Sequence, residues 1–183
     1  MRAPLRLAAV LVSLPLAAGC SRNPERRAAE LIEDLRSPDA AAVDRAVRQL
    51  VEMGEPAVPA LIDALKDPEA RVRNAAASAL WGLGPKARNA VPTLAEALAD
   101  TDDGVRLGVV MALESVGRDA AAAVPALARA VRDRDGNVRL WAAKALAKIG
   151  PPARSALPAL TEAARYDSTR AAAEDAIRAI KGP

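Results

Sequence analysis

Apolar residues recur at two spacings along this chain: a helical spacing inside short segments and a fixed spacing of 33 residues between segments. Four strings mark the longer period, Val58-Pro59-Ala60-Leu61, Val91-Pro92-Thr93-Leu94, Val124-Pro125-Ala126-Leu127 and Leu157-Pro158-Ala159-Leu160. A period of this length is the mark of stacked, self-similar units, each too small to bury its own apolar face. Within the second unit, a helical turn of 100° per residue from Val72 places Ala76, Ala79, Leu80 and Leu83 on one face. Asn74, Ala77, Ser78 and Trp81 then point roughly the other way.

The punctuation between apolar segments divides each unit into two helices. Pro59 and its equivalents fit a first helical position, where a missing N–H costs nothing. Asp67, Asp100 and Asp133 align at the end of the first helix, where the next needs an N-cap. Val72-Arg73, Val105-Arg106 and Val138-Arg139 open the second helices, and Gly84, Gly117 and Gly150 fit the left-handed residue just beyond them. A first unit appears at an offset of 30, with Leu31-Ile32, Leu35, Pro38, Leu50 and Gly54. A fifth ends the chain after a turn shortened by two residues. The units run over about 24–57, 58–90, 91–123, 124–156 and 157–183.

The arrangement Asp-x-x-x-x-Val-Arg followed by Ala, Leu and Gly resembles the HEAT-repeat superfamily, and the short units resemble its HEAT-like group first recognised in phycobilin lyases. The first unit departs from the pattern, with Ala42-Val43 where the Val-Arg pair stands elsewhere. The resemblance implies an all-α fold, a right-handed α-solenoid of about five HEAT-like helix pairs over residues 24–183. Its curved face, lined by second helices, would serve mainly to bind proteins. Composition agrees with closely packed helices: the chain is 51% hydrophobic yet has no Phe, one Tyr and two Trp. Small side chains let helices approach at the short end of the usual range of roughly 8–10 Å. At the C-terminus Glu174, Asp175, Arg178 and Lys181 give the last helix a polar side suited to a cap, with Glu174 and Arg178 at i,i+4 spacing.

The first residues read differently. Two arginines, an apolar run from Leu7 to Leu16 and small residues before a lone cysteine have the layout of a secretory signal peptide over 1–19. Leu16-Ala17-Ala18-Gly19-Cys20 resembles a bacterial lipobox, with the leucine one place further back than usual. That resemblance implies acylation of Cys20, a short tether over 20–23 and retention on a membrane, because two or three acyl chains hold a protein firmly. Ser21 is similar to the residue that follows the cysteine in outer-membrane lipoproteins. The localisation expected is therefore the cell envelope, on the outer membrane facing the periplasm if the cell is Gram-negative. Without Arg2 and Arg6, 24 basic residues face 23 acidic ones, leaving +1 of the formal +3. Nucleic acid, which needs a basic stripe on the folded domain, is not an expected partner.

With no histidine, Ser-His-Asp and Cys-His nucleophiles and His-ligated metal sites are excluded. The one cysteine has no partner for a disulfide within the chain. The oxygen-rich turns at 100–104 and 133–137 lack EF-hand spacing and occupy turns where Asp, Gly and Asn are expected anyway. Repetition assigns Asp67, Arg73, Asp100, Arg106, Asp133 and Arg139 to a structural ladder of caps and ion pairs joining neighbouring units, since a catalytic group would normally occur once. No catalytic residue, metal or cofactor is expected.

The residues that break the repeat carry the functional expectation. Trp81, Leu107, Val110, Met111, Leu140 and Lys144 fall on the outward side of successive second helices. Exposed apolar residues in a contiguous patch mark interaction surfaces, and Trp is frequent among binding hot spots. Trp141 aligns with Ala75 and Gly108 and is expected to pack into the space beside Gly108. The reading is a non-catalytic, membrane-anchored scaffold that binds a protein partner. The alternatives are a small-molecule or chromophore carrier resembling the bilin lyases and a structural envelope protein.

Overall fold

A computed structural model describes residues 23–182. The leader over 1–19 and Cys20 lie outside the described residues. Ten α-helices follow one another in five pairs: α1 (Pro24–Asp34) and α2 (Ala40–Met53), α3 (Val58–Ala64) and α4 (Ala70–Leu83), α5 (Val91–Ala97) and α6 (Asp103–Val116), α7 (Val124–Ala130) and α8 (Gly136–Ile149), α9 (Leu157–Ala163) and α10 (Arg170–Lys181). There is no strand among the described residues, and none of their helices is long and apolar enough to cross a membrane. The chain is an α-solenoid.

Side chains cap the starts of α1, α2, α6 and α8, with one correction to the sequence expectation. Asp67, Asp100 and Asp133 are not the N-caps. The caps stand two residues further on, where Asp102 accepts from the Val105 amide and Asp135 from those of Asn137 and Val138. Asn23 and Asp39 cap the first unit in the same way. Pro59, Pro92, Pro125 and Pro158 are the second rather than first residues of their helices. The reason for tolerating proline is unchanged, since the first four amides of a helix lack an intrahelical acceptor.

Second helices stop at a glycine with positive φ, but not in the left-handed helical well. At Gly117, φ is 73° and ψ is −129°, a region essentially closed to residues bearing a Cβ. The chain then enters a 3-10 segment, Glu55–Ala57, Gly84–Ala90, Gly117–Ala123 or Pro151–Ala156, before the next unit. These segments bury alanines, among them Ala87, Ala120 and Ala153.

The core is a column of small aliphatics. Leu61, Leu94, Leu127 and Leu160 from the first helices meet Leu50, Leu80, Leu113 and Leu146 from the second, all essentially inaccessible. Each contributes about 1.5–3 kcal/mol by leaving water. The second helices also pack directly on one another, α4 on α6, α6 on α8 and α8 on α10, whereas successive first helices touch less and are spaced by the 3-10 segments. The row with closer helix spacing must lie on the inside of the bend, so the second helices form the concave face. Missing side chains permit this closeness: a Cβ on Gly108 would meet Asn74 Oδ1 at 3.0 Å and the Ala77 Cβ at 3.1 Å. The space beside Gly108 is thus filled by the preceding helix, and Trp141 packs partly buried against the core. The last helix is polar outside as expected, although Arg178 pairs with Asp175 rather than Glu174.

Candidate functional site

On the second-helix row the structure separates the residues that broke the repeat. Trp81 is 47% exposed at the end of α4. Leu107, Met111 and Leu140 are half-buried, and Lys144 is exposed with its ammonium 4.3 Å from the centre of the Trp141 ring. Val110 is fully buried and cannot touch a partner. It shares its repeat position with Ala77 and Ala143, both equally buried, because an inner second helix is covered on three sides: by its own first helix and by the second helices before and after it. Treating each helix as having one core face and one outer face placed Val110 outside.

Trp81 forms one wall of a groove of about 360 Å³ between α2 and α4, with Val47, Val51, Ser78 and Gly82, rimmed by Arg48 and Glu52. A Cβ on Gly82 would lie 2.8 Å from Val51 Cγ2, so this glycine sets how closely α2 approaches the indole. Val47 and Val51 were missed by sequence reasoning. Their signal was present, since the 30-residue offset of the first unit aligns Val51 with Trp81. The groove can take an aliphatic or aromatic side chain and fix its ends by charge.

The repeated aspartates and arginines lie on another edge, at the turn inside each unit. Each arginine is shared between two turns. Arg73 donates from Nη1 to the Asp67 and Pro68 carbonyls of its own turn, at 2.8 and 3.0 Å. Its Nε and Nη2 grip both carboxylate oxygens of Asp100 in the following unit, at 2.7 and 2.9 Å. Arg106 repeats this on the Asp100 and Thr101 carbonyls and on the Asp133 carboxylate. The ion pairs join neighbouring units, Arg73 with Asp100 and Arg106 with Asp133.

Arg36, in the turn just after α1, completes the first rung by donating to Asp67 at 2.5 Å. It replaces the arginine missing from the first unit's second helix. Each aspartate also accepts from the amide two residues on, Glu69, Asp102 or Asp135. The guanidinium of Arg73 holds the Asp100 carboxyl below the ordinary range against the opposing effect of burial. At Asp67 and Asp133 burial is the largest influence and pushes upward, but the amide and arginine donors outweigh it, so both are lowered as well. Carboxylates held ionised this way are acceptors for structure and poor proton donors. Among the described residues no group of three or more His, Cys, Asp or Glu side chains is placed to hold a metal ion.

A family model described as HEAT repeats matches residues 28–114 and 91–181. No curated protein sequence matches the chain. Among solved structures, the complex of CpcE and CpcF of phycocyanin lyase from a Nostoc species is similar with a TM-score of 0.67 at 20% identity, over 82% of this chain and 98% of that one. A designed armadillo repeat protein in complex with the peptide (KR)4 has a TM-score of 0.64 at 18% identity, over 83% and 81%. An engineered protein has 0.63 at 22%, over 81% and 78%. At these identities the likeness is one of fold.

Proposed function

This chain belongs to the HEAT-repeat family, and from that premise we propose that it is a lipid-anchored scaffold holding a protein partner on its concave second-helix face. The observation that carries the reading is Trp81, a large apolar side chain left 47% exposed beside an apolar groove. Leu107, Met111 and Leu140 extend the apolar character across the next two units, and Lys144 supplies a charge at its edge. Aromatic anchors in partly enclosed pockets are where binding energy concentrates. That the similar armadillo protein holds a peptide and CpcE pairs with CpcF favours a polypeptide ligand. No chemical step is assigned to the face.

The anchor is Cys20. With α1 starting at Pro24, only Ser21, Arg22 and Asn23 intervene, a reach of about 10 Å. The solenoid is held close to the bilayer, and its partner is an envelope component. Two experiments test these parts separately. Cys20→Ala should abolish incorporation of labelled palmitate and release the protein from membranes; continued labelling refutes the anchor. Trp81→Ala combined with Met111→Glu should lower recovery of the cross-linked partner while helical circular dichroism is unchanged. Undiminished recovery moves the site elsewhere.

A further inference from the structure

The ladder of arginines has one rung with no carboxylate. Arg139 is placed as Arg73 and Arg106 are, its Nη1 donating to the Asp133 and Arg134 carbonyls of its own turn at 2.9 and 3.1 Å. The other half of the rung is missing. The residue 33 positions after Asp133 is Tyr166. Among the described residues the buried Nε of Arg139 has no acceptor, and Nη2 reaches only Ser168 Oγ, at 3.4 Å. The Tyr166 ring stands 5.9 Å from the guanidinium and is 51% exposed. Asp167, the adjacent carboxylate, is almost wholly exposed and pairs with Arg170 at 2.6 Å. The turn is fastened without Arg139, because buried Thr169 donates from Oγ1 to the Ala163 carbonyl at 2.8 Å.

We propose that Arg139 is a carboxylate seat at the open end of the ladder, which takes an aspartate or glutamate side chain of a bound polypeptide. The Nε–Nη2 edge of a guanidinium matches the two oxygens of a carboxylate. In this chain that same edge holds Asp100 and Asp133 in the complete rungs. Because Nη1 is tied to the backbone, the fork is oriented before a ligand arrives, which removes part of the ordering cost of binding. The half-exposed Tyr166 ring is the movable wall: a carboxylate enters by turning it aside and displacing the long Ser168 contact. The seat lies on the turn edge rather than on the concave face, so it stands or falls independently of the Trp81 groove.

The test follows the Nε–H signal of Arg139 in the 15N-labelled full-length protein, assigned by its absence in Arg139→Lys. The probes are acetyl-Gly-Asp-Gly-amide, its Asn counterpart and inorganic phosphate. A saturable shift is expected with the Asp peptide, at least tenfold weaker with the Asn peptide, and phosphate should bind no more tightly than the Asp peptide. Tyr166→Asp, which supplies a carboxylate from the chain itself, should abolish the response to the Asp peptide. The absence of a saturable shift overturns the proposal, as does an equal response to the Asn peptide. Tighter binding of phosphate would overturn the assignment to a carboxylate.

Discussion

Arg106→Ala tests whether the ladder holds the units together. Arg106 and Asp133 are the most enclosed complete rung, with side chains 5% and 11% exposed and the guanidinium 2.8 Å from the carboxylate. Removing the arginine leaves the Asp133 carboxyl in a part-buried site with one amide donor, and strips the Asp100 and Thr101 carbonyls of theirs. Breaking a buried pair by deleting one partner costs about 3–5 kcal/mol. In a domain of this size that lowers the melting midpoint by roughly 10 °C. Urea unfolding of the parent, Arg106→Ala, Asp133→Ala and the double variant would give the coupling energy directly. At pH 7 the coupling should lie at about 1.5–3 kcal/mol, as for hydrogen bonds to charged groups. It should diminish in acid as Asp133 takes up a proton. A loss below about 1 kcal/mol for Arg106→Ala, the value of an exposed pair, would refute the reasoning. So would a coupling energy that does not fall at all on acidification.

Stability of the whole domain should follow the same carboxylates. Asp67, Asp100 and Asp133 have folded values below their unfolded ones, so their contribution is complete above about pH 4 and is lost as pH falls below it; thermal scans from pH 7 to pH 2 would show a flat region and then a decline. Val110→Ala removes two buried carbons and should cost about 2 kcal/mol, measured by urea unfolding, with partner recovery unchanged; a variant of full stability that loses the partner would return Val110 to the binding face. Gly117→Ala meets no atom within 4 Å, so its cost should be backbone strain alone, about 1–3 kcal/mol, and a neutral result in the same assay would show that the turn can relax.

The repeat and the helix pairs were legible in the sequence, because they depend on neighbours within a few residues. Trp81 could be found by asking which positions break a repeated pattern. Val51 could have been found the same way, had the irregular first unit been aligned as closely as the middle ones. Val110 could not, since the residues that cover it belong to neighbouring units. The aspartates were correctly placed on a repeated turn but misassigned as caps: the side chain that caps is chosen by a shift of two residues, and Asp67, Asp100 and Asp133 are already occupied by the arginines of preceding units.

Helix periodicity and turn glycines are interactions of the chain with itself over one or two turns, so they are written into the residue order along with the 33-residue unit they define. Packing between units settles what happens when they are stacked. It sets Asp100 against Arg73, buries Val110 between second helices, opens a groove between Val51 and Trp81, and leaves Arg139 without the carboxylate its counterparts hold. These depend on the rise and rotation from one unit to the next, a geometry fixed by how closely the small side chains of adjacent helices can approach, which no single helix records.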